Sequence, residues 1–133
     1  MHARGLRLVG ALLVGLAFLG ACGSSGSNKT APPCPPKASS RAAVNGAVTV
    51  CAHDIGYDVK TITTTAGPLA ITLVNTGSTA HTFTMQDPSL NLKVSGHNDS
   101  TTGTVTLAKG TYTFKCTVDS HDSLGMHGTI VVS

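Results

Sequence analysis

The sequence predicts one small all-β domain, and three observations carry that expectation. Thr fills 18 of the 92 positions from Ala42 to Ser133, and Thr with Val suits a pleated, half-buried surface. Glu and Trp are absent and long aliphatic residues are sparse past residue 21, so the chain is a poor helix former. From Val44 onward, short apolar segments are divided by turn residues at even spacing, the pattern of a sheet protein. Charged residues make up 11% of the chain, against roughly 25% in average soluble domains. Coiled coils, helix bundles, doubly wound nucleotide folds and nucleic-acid binding through a basic face are disfavoured, and no nucleic-acid partner is expected.

The first 21 residues hold a disproportionate share of the apolar side chains. Arg4 and Arg7 precede the run Leu8–Leu19, which at 12 residues is too short to span a bilayer and has the build of a signal peptide. The run ends in Leu19-Gly20-Ala21-Cys22, which resembles the lipobox of bacterial lipoproteins. That resemblance implies cleavage of residues 1–21 and a diacylglycerol on the Cys22 thiol. The protein would then sit on the cell membrane, lipid-anchored, facing the periplasm or the cell exterior. Residues 22–43 are rich in Gly, Ser and Pro and cannot bury enough apolar surface to offset their ordering entropy, so they read as a tether. About 20 flexible residues give a root-mean-square span of roughly 25 Å. The folded domain is therefore expected over 44–133, a length that suits one sandwich and not two domains. The net charge of +3 divides accordingly. Lys29, Lys37 and Arg41 fall in the tether, and the domain keeps four Lys against six Asp.

Along the domain the expected strands are Ala47–Ala52, Asp58–Thr65, Leu69–Asn75, His81–Gln86, Leu90–Val94, Gly103–Leu107, Thr111–Cys116 and His127–Val132. They are separated by Ala66-Gly67-Pro68, the Asn75–Gly77 turn, Asp87-Pro88, Ser95-Gly96 and Lys109-Gly110. The third alternates well, with Leu69, Ile71 and Leu73 on one face and Ala70, Thr72 and Val74 on the other. Seven or eight short strands at this spacing predict a β-sandwich. No internal repeat is visible.

The four cysteines divide among separate roles. Cys22 is the lipid site, and Cys34 and Cys51 lie 17 residues apart, compatible with a disulfide in an exported protein though not required by spacing alone. Cys116 is left over, and an unpaired thiol in an oxidising compartment calls for metal ligation or deep burial. Its surroundings favour metal. A strand runs into Cys116, the loop that follows carries His121 and Met126, and a last strand begins near Gly128. Thiolate, imidazole and thioether form a soft set suited to copper, and one further imidazole completes a trigonal His₂Cys site with a weak axial Met. His81, at the start of a strand after an Asn/Gly turn, can supply it.

With these residues in place the chain resembles the blue-copper proteins, the plastocyanin- and azurin-like cupredoxins, over about residues 44–133. The resemblance rests on Asn75-x-Gly77-x₃-His81-x-Phe83, on the Lys109–Phe114 approach to the cysteine, and on Cys116-x₄-His121-x₄-Met126-x-Gly128. It implies a Greek-key β-sandwich of the cupredoxin type. It also implies one copper ion, cycling between Cu(I) and Cu(II), held by His81, Cys116, His121 and Met126. Two departures stand out. Many members carry Asn after the upstream ligand, tying the two ligand loops together; Thr82 stands there instead, so a tie would need a hydroxyl, with Thr117 beside it. The loop also has Asp119-Ser120 where a Pro often precedes the His.

Each ligand taken singly has a plainer reading: a buried strand thiol, a core methionine, a hydrogen-bonded turn histidine. Their joint occurrence favours copper. Met85 follows His81 and Phe83 in strand alternation and should point into the core. His127 should face away from the metal, and His53 and His97 read as surface or turn residues. Enzymatic readings find little support. The multicopper oxidases use His-x-His motifs, which this chain lacks, and the binuclear centre of cytochrome oxidase needs a second Cys in the ligand loop. The expectation is thus a monomeric electron carrier and not an enzyme. Its protein redox partner would dock near His121, against Asp119, Asp122, Leu124 and Gly125. A copper-binding module for delivery, storage or tolerance is the alternative, with His97 and His127 as ports for the metal. A metal-free interaction domain is a third.

Overall fold

Segments of period two with Thr, Val and Ile must bury one face, and this chain solves the problem by stacking two sheets. A computed structural model describes residues 30–133; the expected signal peptide and Cys22 lie outside the described residues. The strands are β1 (Ala38–Ala42), β2 (Ala47–His53), β3 (Gly56–Tyr57), β4 (Val59–Thr64), β5 (Gly67–Asn75), β6 (His81–Met85), β7 (Leu90–Val94), β8 (Ser100–Leu107), β9 (Gly110–Lys115) and β10 (His127–Val132). Among the described residues there is no helix, hence none long and apolar enough to cross a membrane. One sheet has six strands in the order β1-β4-β10-β9-β6-β7, the other four in the order β3-β2-β5-β8. Both are mixed, with β1–β4, β4–β10 and β2–β5 parallel.

The core is the layer between the sheets. Leu69, Ile71 and Leu73 of β5 are fully buried, as their alternation requires, and they share the core with Val50, Ile62 and Ile130. Three aromatic rings link the layers: Phe83 and Phe114 stack at 4.3 Å between centroids, and Tyr57 meets Phe114 edge-on at 5.4 Å. Gly128 lies across from Phe114 in the β9–β10 register. A Cβ there would stand 2.3 Å from the Phe114 Cζ and 2.5 Å from the Lys60 carbonyl, so the close approach of β10 to β4 needs glycine.

All eight expected strands are present, and β7 and β10 have the expected bounds. Two further strands were not expected. Short β3 closes a hairpin with β2. The larger difference is β1, which lies inside the segment read as a tether. Composition misleads here because the segment is held by polar and covalent contacts instead of apolar burial. The Arg41 guanidinium forms an ion pair with Asp58 at 2.9 Å and donates to the carbonyls of Thr49 and Pro36, each at 2.8 Å. Cys34 is disulfide-bonded to Cys51 with Cα atoms 6.0 Å apart. Arg41 is therefore part of the fold and not linker charge. Counted from Lys37 onward, the folded region has six basic and six acidic residues, so its −2 balance disappears.

Candidate metal centre

The topology brings the expected ligands to one end of the larger sheet. β6 and β10 each run antiparallel to β9, so both begin beside the place where β9 ends. His81 opens β6, Cys116 directly follows β9, and Met126 directly precedes β10. His121 lies in the intervening loop. The ligating atoms of His81, Cys116 and His121 lie within 4.8 Å of one another. The Cys116 Sγ stands 3.5 Å from the His121 Nδ1, and the two imidazole centroids are 5.1 Å apart. All three residues are buried, and so is Met126. Met126 is stitched to the other two through the backbone, donating to the His121 carbonyl at 3.0 Å and accepting from the Cys116 amide at 2.9 Å.

The loop without proline is closed by its own hydrogen bonds. The His121 amide donates to Val118 O, Leu124 to Ser120 O and Gly125 to Asp122 O. From β4, the Lys60 ammonium donates to the Gly125 carbonyl and reaches the His127 carbonyl at 3.4 Å. The missing asparagine is replaced by a hydroxyl. The Thr82 Oγ1 accepts from the Thr117 amide at 2.8 Å and stands 3.0 Å from the Thr117 Oγ1, while the Thr82 amide points at the Cys116 Sγ at 3.4 Å. The tie between the ligand loops is thus present, with Thr82 and Thr117 as its two ends.

Sequence reasoning missed Asp54. The His81 Nε2 lies 3.1 Å from the Asp54 Oδ1 and 3.1 Å from the Thr79 Oγ1. Asp54 is itself gripped by Ser78 and Thr79: hydrogen bonds from the Thr79 hydroxyl and the Ser78 amide, above all, hold its carboxyl well below the usual carboxylate range. Burial pushes the His81 imidazole below its ordinary value, against the opposing pull of Asp54, which favours the neutral ring that a metal needs. On the other side, the His81 Nδ1 is buried and has no hydrogen-bond partner. A buried nitrogen without a partner, on a ring held from behind by a carboxylate, fits a metal-ligating imidazole. No sequence spacing connects Asp54 to His81, which lies 27 residues away on the other sheet.

The remaining histidines are placed as follows. His97 is exposed, with its Nδ1 3.2 Å from the Thr76 carbonyl. His127 is exposed and pairs with Asp122 at 2.8 Å. His53 is half-buried beside Gly56. Met85 is buried in the core. Asp122 also meets Lys115 at 3.1 Å, and the hydrogen bond from His127 and then that from Lys115 keep its carboxyl below the ordinary range. Of the two aspartates in the expected docking patch, one is thus already neutralised. Leu124 stands 62% exposed and borders, with Gly125, Ile55 and Lys60, a groove of about 410 Å³.

A buried thiol and two buried imidazoles, with the buried Met126 joined to them through the backbone, fit a site of the blue-copper class. Residues 13–132 match the family described as the cupredoxin-like domain, and the chain belongs to that family. Among solved structures it is similar to reduced auracyanin from Roseiflexus castenholzii, with a TM-score of 0.60 and 22% identity over 67% of this chain and 98% of that one. A rusticyanin variant is similar at a TM-score of 0.57 and 23% identity, covering 69% and 80%. A reduced amicyanin variant follows at 0.51 and 21%, covering 68% and 85%. No curated protein sequence matches the chain. The family and the His81–Cys116–His121 cluster support a single copper ion as the cofactor, and the donor types fit it, since thiolate and thioether select copper where imidazole alone would not. Proteins of this family are typically electron carriers that act on redox partner proteins.

Proposed function

We propose that this chain is an extracytoplasmic, lipid-anchored electron carrier that exchanges single electrons with protein partners through one type 1 copper ion. His81, Cys116 and His121 would be the trigonal ligands and Met126 the weak axial one. The observation that carries the reading is the buried cluster of His81, Cys116 and His121, in which the His81 Nδ1 has no hydrogen-bond partner. Bound copper would supply the one-electron couple; the chain's own residues keep the ligands apart from solvent and tied in place by Thr82, Thr117 and Lys60. Such fixed ligands suit electron transfer, because little need move between oxidation states. They suit metal delivery less well, since an exchanging site needs ligands that can be reached. Of the two imidazoles, His121 alone has an edge at the surface, 6% exposed against 0% for His81, so the electron would leave there. The partner would dock over His121, Leu124 and Gly125. The monomeric state, the non-enzymatic role and anchoring through Cys22 belong to the same reading.

The test is optical and electrochemical. The copper-loaded protein should be intensely coloured when oxidised, and Cys116→Ser should abolish the colour even where some copper stays bound. Met126→Gln should keep the colour and lower the reduction potential, because a harder axial oxygen favours Cu(II). Reversible cycling without loss of copper to a competing chelator supports a carrier, whereas ready transfer of Cu(I) supports delivery. A colourless Cu(II) form of the wild type removes the blue-copper assignment. Anchoring is tested separately: the full-length protein should enter a detergent phase and Cys22→Ser should not, since a diacyl anchor is stable where one chain is marginal.

A further inference from the structure

Asp54 does more than close a turn. It follows β2 on the smaller sheet, and its carboxylate collects four donors from the turn that leads into β6. The Ser78 amide and hydroxyl reach its Oδ2 at 2.7 Å each, and the Thr79 amide and hydroxyl reach its Oδ1 at 3.2 and 2.6 Å. The turn is kept tight by Asn75, whose Oδ1 accepts from the Gly77 amide at 2.9 Å and whose Nδ2 donates to the Thr79 carbonyl at 2.8 Å. Gly77 is required by the same approach, since a Cβ there would stand 2.3 Å from the Asp54 Oδ1.

A proton inventory then settles the tautomer of His81. Its Nε2 faces two oxygens, the Asp54 Oδ1 and the Thr79 Oγ1, both at 3.1 Å. A carboxylate has no proton to give, and the single proton of the Thr79 hydroxyl is committed to Asp54 at 2.6 Å. The Nε2 must therefore be the donor, and the lone pair must sit on Nδ1, the buried atom without a partner. Two independent observations, the acceptors behind the ring and the bare nitrogen in front, agree on one orientation.

We propose that Asp54 is a positioning residue for the metal ligand His81, a carboxylate that fixes the ring's tautomer and angle and strengthens Nδ1 as a donor, so that the site holds Cu(II) more tightly relative to Cu(I). This rests on the copper reading above. The physical cause is the partial negative charge that a carboxylate acceptor induces on the imidazole, which stabilises the more highly charged metal. The carboxylate reaches the ligand from the opposite sheet, so the packing of the two layers is transmitted to the site.

The test compares the full chain, copper-loaded, with Asp54→Asn, which keeps size and an acceptor oxygen but removes the charge. The variant should remain coloured through Cys116. Its Cu(II) affinity, measured by chelator competition, should fall by about 10–100-fold, and its Cu(I) affinity by less. A differential loss of about tenfold appears as a rise in reduction potential of about 59 mV for one electron. If Asp54→Asn lowers thermal stability but leaves both affinities within twofold of wild type and the potential within about 18 mV, the one-electron equivalent of twofold, Asp54 is a turn anchor only and the proposal is overturned. A colourless wild type would instead overturn the copper reading, and this proposal with it. Should the variant fail to fold, long-range proton–nitrogen correlation on the metal-free wild type at mildly alkaline pH decides. A His81 ring protonated at Nε2 supports the proposal, and one protonated at Nδ1 overturns it.

Discussion

Replacing Arg41 by alanine tests whether the segment before residue 44 is structure or linker. The Arg41 and Asp58 side chains are 13% and 8% exposed, so their ion pair is enclosed. Exposed pairs contribute about 0–1 kcal/mol, whereas removing one partner of a buried pair costs about 3–5 kcal/mol, because the other charge is stranded. After Arg41→Ala, Asp58 would keep only the Cys51 amide, which donates to its Oδ1 at 2.8 Å. The carbonyls of Thr49 and Pro36 would lose their donor as well. The residual exposure of Arg41 lets water take part of the load, which places the loss near the lower end, at about 3 kcal/mol. For a domain of roughly 100 residues that corresponds to a fall in Tm of roughly 12–24 °C, at about 4–8 °C per kcal/mol. Urea unfolding with the disulfide intact measures it, and a double-mutant cycle with Asp58→Asn should return a coupling of about 1–3 kcal/mol. A change within about 0.5 kcal/mol of wild type, the range of ordinary surface substitutions, would refute the reasoning and return β1 to the tether.

Three other outcomes are expected. Converting both Cys34 and Cys51 to Ser should cost about 3 kcal/mol for a loop of this length, and the unreduced wild type, once unfolded and metal-free, should show Cys116 as its one reactive thiol among the described residues. Gly128→Ala should destabilise by about 1–3 kcal/mol in denaturant unfolding, because one of the atoms it meets is the Lys60 backbone carbonyl, which cannot yield as a side chain would. Thr82→Val should strand the Thr117 amide at a cost of about 1–3 kcal/mol, while Thr82→Ser, which keeps the hydroxyl, should fall close to wild type by the same measurement.

The sheet strands were legible because their signal is local. Leu69, Ile71 and Leu73 alternate within one segment, and Ser95-Gly96 or Lys109-Gly110 punctuate the next. The ligand set was legible for a related reason: three of its members fall on one loop at short spacing, and the fourth heads a strand with a recognisable turn before it. β1 was not legible, because Ala-Ser-Ser-Arg-Ala has the composition of a linker and gains its place through Arg41, whose partner lies 17 positions onward. Asp54 was illegible for the same cause. Its contact with His81 exists only once the β2–β3 hairpin of one sheet faces the start of β6 in the other. Threonine shows the boundary between the two kinds of information. The sequence marks Thr82 as a departure from the family pattern, but only the fold reveals that its hydroxyl does the work of the missing amide.

The Cys34–Cys51 bond also decides how the molecule answers to force. A pull on the chain ahead of Cys34 passes across the disulfide directly to Cys51, and the residues between them form a covalently closed loop that carries no tension. β1, an edge strand and the first among the described residues, is thereby shielded from being peeled off β4. The load enters instead at β2, inside the smaller sheet, three residues from Asp54. Mechanical stress on the N-terminal segment is delivered beside the metal centre, on the side that holds His81 from behind, and not at the edge of the sandwich where the chain order alone would put it.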